Sequence, residues 1–135
     1  MPFVIDASVT AAWILPDEAH PLADECEKML AVDYALVPTI WWFEVRNLLI
    51  MSERRKRLDR NATSQALKIL SAYPIIQDEL PDEVALLNLA RAHALSVYDA
   101  AYLELAIRAK LPMATLDKRL AAATASEGVA PLIDK

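Results

Sequence analysis

The chain has 135 residues, nineteen acids against fourteen bases, a net charge of −5 and 56% hydrophobic residues, a composition that excludes a disordered or low-complexity chain. Its single glycine, Gly128, leaves no glycine-rich loop to cradle a nucleotide, which excludes P-loop and dinucleotide chemistry. The one cysteine, Cys26, permits no intramolecular disulfide, and no apolar run approaches the roughly 18 residues of a membrane span. With no basic-then-apolar leader at the N-terminus, a soluble protein in a reducing cytoplasm is expected, and residues 1–135 read as one domain.

Phe3-Val4-Ile5, bounded by Pro2 and Asp6, has the form of a short strand buried on both faces, as in parallel sheets. Ser8 is expected to cap a helix from Val9 to Leu15. That places Asp6 in the strand-to-helix turn at the carboxyl edge of the sheet, where open α/β sheets bind ligands. Asp6 can serve there as a helix cap or as a site acid. His20-Pro21 open an amphipathic helix with Leu22, Ala23, Cys26, Met29 and Leu30 on one side. Neither His20 nor His93 lies in a metal-ligand spacing, so both read as structural.

Ala35 to Pro38 gives a second strand, and Thr39 is expected to cap a long helix from Ile40 to about Arg55. Ile40, Glu44, Asn47, Leu48 and Met51 share one face of it, so Glu44 and Asn47 interrupt the stripe expected to face the sheet. A carboxylate so placed pairs with Arg46 or another base, or faces a cation. Trp41-Trp42-Phe43 step around the helix at about 100°, so at least one ring points outward, toward a partner protein or a base. Arg54-Arg55-Lys56-Arg57, with Arg60, either complements the helix dipole or holds phosphates or an acidic partner.

Asn61 is expected to cap a helix whose apolar face is Ala66, Leu67, Ile69, Leu70 and Tyr73, ended by Pro74. Ile75-Ile76-Gln77 then forms an edge strand, and Pro81-Asp82-Glu83 starts a helix. Arg91 shares a face there with Val84, Leu87, Ala90 and Ala94, and is a candidate counter-charge for an acidic pocket. Ser96-Val97-Tyr98-Asp99 has the capping-box pattern before a helix from Ala100 to Ala109. Leu111 to Leu116 is a strand ending in Asp117, and a helix from Lys118 to about Ser126 follows, repeating the arrangement at Asp6. Gly128 suits the residue after that helix, and Val129 to Ile133 a last edge strand. Strands alternating with helices predict an α/β fold: a parallel sheet with right-handed crossovers, covered on both faces, with Asp6 and Asp117 leaving the same edge.

Four carboxylates, Asp6, Glu44, Asp99 and Asp117, thus fall at turns or inward-facing positions. If they converge, two bare charges ~5 Å apart repel by about 3 kcal/mol at an effective dielectric of ~20. Such clusters persist around a hard divalent cation, and oxygen ligands select Mg²⁺ or Mn²⁺ over zinc. A cation of that kind can activate water and neutralise a phosphate, which lets an acidic protein handle a polyanion.

The segments Phe3 to Ser8, Pro38 to Glu44 with Asn47, Ser96 to Leu103, and Ala114 to Asp117, in that order across almost the whole chain, resemble those of PIN-domain ribonucleases of the VapC toxin type. The resemblance implies a PIN-like three-layer fold and a Mg²⁺-dependent endoribonuclease that is the toxin of a toxin–antitoxin pair. It also implies Asp6 and Asp99 as the most direct Mg²⁺ ligands, with Mn²⁺ able to substitute. Glu44 and Asp117 would complete the catalytic acids, and the Ser8 and Thr115 hydroxyls would orient them. The implied partners are RNA, a cognate antitoxin and a second copy in a homodimer, without a membrane. Two departures stand out: Lys110-Leu111 replaces a helix-ending glycine, and Glu104 adds an acid to the helix of Asp99, where a solvated residue is expected. Two rival readings exist. One is a catalytically silent binding module of the same fold. The other is a phosphatase with Asp6 as nucleophile, which lacks the second Asp such enzymes need because Ser8 stands there.

Overall fold

The apolar run Phe3–Ile5 forms strand β1, all three residues fully buried, at the centre of a four-stranded parallel sheet. The computed structural model describes residues 1–15 and 17–132. Strand β2 (Ala35–Val37) pairs with one side of β1, placing Phe3 opposite Ala35 and Val4 opposite Leu36. Strand β4 (Met113–Ala114) pairs with the other, Ile5 opposite Ala114. Strand β3 (Ile75–Gln77) lies outside β2, giving the order β3-β2-β1-β4. A central strand covered on both faces needs no polar alternation, and burying each of Phe3, Val4 and Ile5 contributes about 2 kcal/mol.

The helices among the described residues are α1 (Ala7–Ile14), α2 (Pro21–Met29), α3 (Ile40–Arg54), α4 (Arg60–Ser71), α5 (Glu83–His93), α6 (Val97–Ala109) and α7 (Lys118–Ser126). Helix α1 packs on α2 and α3, while α6 packs on β1, α5 and α7. The expected α/β architecture is therefore present, with β3 at an edge and every strand pair parallel.

Several local expectations are corrected. Asp6, not Ser8, caps α1: its extended backbone (φ −104°, ψ 179°) turns the carboxylate onto the Val9 N–H, leaving Ser8 inside the first turn. Asp59 likewise caps α4 in place of Asn61, accepting from Ala62 N. Thr39 stands before α3 with helical dihedrals and makes no side-chain cap bond. Helix α6 begins at Val97, with Ser96 accepting from Asp99 N at 3.0 Å. Beyond β4, the last predicted strand is reduced to a single parallel bridge between Met113 and Pro131, and Ile133 lies outside the described residues.

The buried stripe of α3 is Trp41, Val45, Leu49 and Ser52 rather than the face of Glu44 and Asn47. Trp41 Nε1 donates to Thr10 Oγ1 at 2.9 Å, which fixes that ring in the core. Trp42 and Phe43 are exposed, as the step around the helix requires. On α4, Ala66 and Leu70 are buried but Ile69 is exposed, and on α5 Leu86 is the buried residue while Val84, Leu87 and Arg91 face outward. Gly128 takes φ +76° just after α7, as its position predicts. Lys110 adopts the same left-handed region (φ 56°) at the end of α6, where the resemblance calls for glycine. Leu111 N still reaches the Ala106 carbonyl at 3.1 Å, so the turn closes despite a strain of about 1 kcal/mol.

Candidate active site

Strands β1 and β4 are neighbours and parallel, so the turns after them open on the same edge of the sheet. The first carries Asp6 into α1, and the second carries Thr115 and Asp117 into α7. Hydrogen bonds tie the two turns together. Asp6 is 5% exposed, and its Oδ1 accepts from Ser8 Oγ at 2.6 Å and from Val9 N at 3.2 Å. Its Oδ2 accepts from the Thr115 hydroxyl. Both hydroxyls also accept from the second turn: Leu116 N donates to Ser8 Oγ at 2.9 Å and Asp117 N to Thr115 Oγ1 at 3.0 Å. Ser8 and Thr115 thus orient Asp6 and fasten one turn to the other.

Asp117 caps α7 through Oδ1, which accepts from Arg119 N and Leu120 N. Glu44, half-buried on α3, accepts the Tyr102 hydroxyl at 2.5 Å. It does not pair with Arg46, whose guanidinium lies 4.1 Å from the centre of the Trp42 ring. Asp99 stands in the first turn of α6. Asp6, Glu44, Asp99 and Asp117 all line one open pocket of about 430 Å³, together with Ser8, Asn47 and Tyr102. A second hollow of about 510 Å³, between the end of α6 and residues 127–132, contains none of these acids.

The pocket favours protons on Asp6, Glu44 and Asp99. Burial pushes the Asp6 carboxyl up against its three hydrogen bonds, and the Asp117 charge adds to the rise. Burial also raises Glu44, followed by the charges of Asp99 and Asp6, while Tyr102 opposes. Asp99 is raised by burial and by Asp117, with Ser96 and Arg119 pulling the other way. Tyr102 itself is held strongly protonated by burial and by Glu44. No lysine or arginine lines the pocket among the described residues. The donor set is oxygen-only, and the mutual repulsion of its acids is offset at Asp99 only in part, by Arg119 from outside the lining, which fits a hard divalent cation. The acids do not form a finished cage, however: among the described residues no three His, Cys, Asp or Glu side chains stand ready to hold a metal ion.

Two polar lining residues carry no role in the sequence analysis. Tyr102 follows Asp99 by three positions, so helical spacing alone put it on the acid's face. Glu18 sits in a loop, where no periodicity could mark it; Arg57, beside Asp17, draws its carboxylate to 3.3 Å. Three other expectations resolve structurally. Arg91 binds Asn88 rather than any pocket acid. Glu104 is neither ligand nor solvated but 3% exposed, and both its oxygens accept from Arg108 at 2.8 and 2.9 Å. His20 caps α2 and His93 meets Glu127 at 2.6 Å.

Residues 3–125 match the PIN domain family. The chain is 30% identical over 129 residues to Ribonuclease VapC3 of Pyrobaculum aerophilum, covering 90% of this chain and 93% of that one. Among solved structures, PAE2754 from Pyrobaculum aerophilum superposes with a TM-score of 0.70 at 28% identity, over 98% of this chain and 84% of that chain. FitAcB from Neisseria gonorrhoeae, at 16% identity and a TM-score of 0.66 over 98% and 97%, shares the fold. The chain belongs to the PIN-domain family and is of the VapC type.

Proposed function

We propose that this protein is a Mg²⁺-dependent endoribonuclease that hydrolyses RNA phosphodiester bonds and acts as the toxin of a toxin–antitoxin pair. The observation that carries the reading is the gathering of Asp6, Glu44, Asp99 and Asp117 around one pocket that no lysine or arginine lines among the described residues. Similarity to a protein named a VapC ribonuclease supports the RNA substrate and an antitoxin partner. The exposed rings of Trp42 and Phe43 suit an interface with that antitoxin or with a second copy.

Asp6 and Asp99 are the residues that would hold the cation, with Glu44 and Asp117 completing the acidic ring. When bound, the cation supplies Lewis acidity toward a phosphoryl oxygen and eases deprotonation of water. The chain's own part is orientation and proton handling. Ser8, Val9 and Thr115 fix both oxygens of Asp6, so its charge needs no reorientation when substrate arrives. Tyr102 occupies Glu44 Oε1, Oε2 has no hydrogen-bond donor among the described residues, and the side chain lines the pocket. With its proton affinity raised, Glu44 Oε2 can take the proton of an attacking water and return it to the leaving oxygen.

The test is cleavage of a labelled RNA pool with Mg²⁺, Mn²⁺ or EDTA. Asp99→Asn should abolish cleavage while the chain stays folded. Full activity in that variant, or in EDTA, would refute the reading, and RNA binding without turnover in the wild type would favour the silent module.

A further inference from the structure

An RNA strand must bring its phosphates to a pocket walled by acids, and a cationic side chain at the rim would offset repulsion that a bound metal ion does not. Two arginines are already paired with acids. Arg57 is held by Asp17 and Glu18, and Arg108 by Glu104 and Asp78. Arg119, the second residue of α7, is placed differently. Its backbone N–H goes to Asp117 Oδ1 at 2.9 Å, and its side chain crosses to the α5–α6 turn, where one nitrogen donates to the Ala94 carbonyl at 2.6 Å.

That carbonyl belongs to a residue in the left-handed region (φ 51°), so the turn presents it in a fixed direction. The guanidinium is therefore anchored between the element of Asp117 and the turn that leads to Asp99, and its charge is felt at Asp99. The side chain is exposed, and among the described residues Ala94 is its one hydrogen-bond acceptor. Four of the five N–H donors of its planar fork remain for a ligand. A fork held in place at low entropic cost is well suited to a phosphate.

We propose that Arg119 is the phosphate-binding residue of this site: tethered by Ala94, it grips an RNA phosphate beside the scissile bond and offsets the repulsion of the acidic wall. The assignment rests on the nuclease reading above and adds a substrate contact to it.

The experiment uses an Asp99→Asn background, silent in cleavage, and a fluorescein-labelled pool of single-stranded oligoribonucleotides of random sequence, followed by anisotropy across a KCl series. Adding Arg119→Gln should weaken binding about fivefold, as loss of an exposed charged hydrogen bond does. The slope of log K against log salt should fall in magnitude by about 0.7, the value for one phosphate contact on a single strand. Arg119→Lys should keep most of the slope, and Lys68→Gln, an equal loss of charge on α4, should change little. Unchanged affinity and slope in Arg119→Gln, an equal loss in Arg119→Lys, or an equal loss in Lys68→Gln would overturn the proposal and leave the nuclease standing. If the background protein binds no RNA and the wild type cleaves none with Mg²⁺, the nuclease reading falls and this proposal with it.

Discussion

Replacing Asp99 by Asn removes one charge from the pocket while preserving shape, and metal-free stability should rise. Asp99 is raised by burial and by Asp117, so its ionised form is held against cost in the folded state. A pair of carboxylates ~5 Å apart repels by about 3 kcal/mol at a dielectric of ~20. Asp99 is only partly buried, and solvent screening brings the expected gain to about 1 kcal/mol. For a chain of this size that is an increase in melting temperature of about 3 °C in EDTA at neutral pH.

The pH dependence has a definite sign. Asp99 and Glu44 bind protons more tightly folded than unfolded, so wild-type stability falls as pH rises from their ordinary values, 3.8 and 4.5, through their higher folded values. The variant should fall less steeply over the same window. Mn²⁺ should then reverse the order, stabilising wild type by about 2.7 kcal/mol at a hundredfold excess over Kd and the variant by less. Calorimetry in EDTA and in Mn²⁺ reads all three effects. An Asn variant that melts at or below wild type in EDTA, together with no response to Mn²⁺, would show that the acids are only caps and ion-pair partners.

Tyr102→Phe deletes the donor to Glu44 and should lower the metal-free melting temperature by about 3 °C, a loss of about 1 kcal/mol. Its cleavage profile should move to higher pH, since Tyr102 holds the Glu44 carboxyl down; an unshifted profile would remove Glu44 from proton transfer. Ser8→Ala strands the Leu116 N–H and takes a donor from Asp6, costing about 2 kcal/mol and weakening Mn²⁺ stabilisation, and a melting point within a degree of wild type would deny the coupling of the two turns. Arg108→Ala leaves buried Glu104 without its counter-charge and should cost about 2 kcal/mol in urea unfolding, with the Mn²⁺ response unchanged.

The strands and the turns that carry the acids were legible because each rests on a local signal: an uninterrupted apolar run of strand length, followed by Asp at a helix start. The inward face of α3 was not. Ile40 to Met51 is apolar at nine of twelve positions, so more than one stripe satisfies helical spacing, and packing selected Trp41, Val45, Leu49 and Ser52. Glu44 therefore reaches the pocket from the border of the buried stripe rather than by interrupting it. The same ambiguity misplaced Arg91 on α5. Glu104 was misread although its partner was visible in the sequence: an arginine four residues later on a helix is the spacing that forms such a pair. Which residue caps α1 and α4 was hidden because Asp6 and Ser8, or Asp59 and Asn61, are all good caps within two positions.

The choice between Asp6 as a cap and Asp6 as a site acid dissolves in the structure, because the first role creates the conditions for the second. Capping demands that the carboxylate accept from Val9 N, and this fixes its rotamer. Burial then makes every further donor valuable, and Ser8 and Thr115 supply them from the two turns. Thr115 lies 109 residues from Asp6 in the chain, so the spacing between the two acidic turns is set by these bonds together with the pairing of β1 and β4. The acid that starts the first helix thereby becomes a stationary charge whose distance from Asp117 is built into the fold. A cation entering the pocket would meet that carboxylate already oriented.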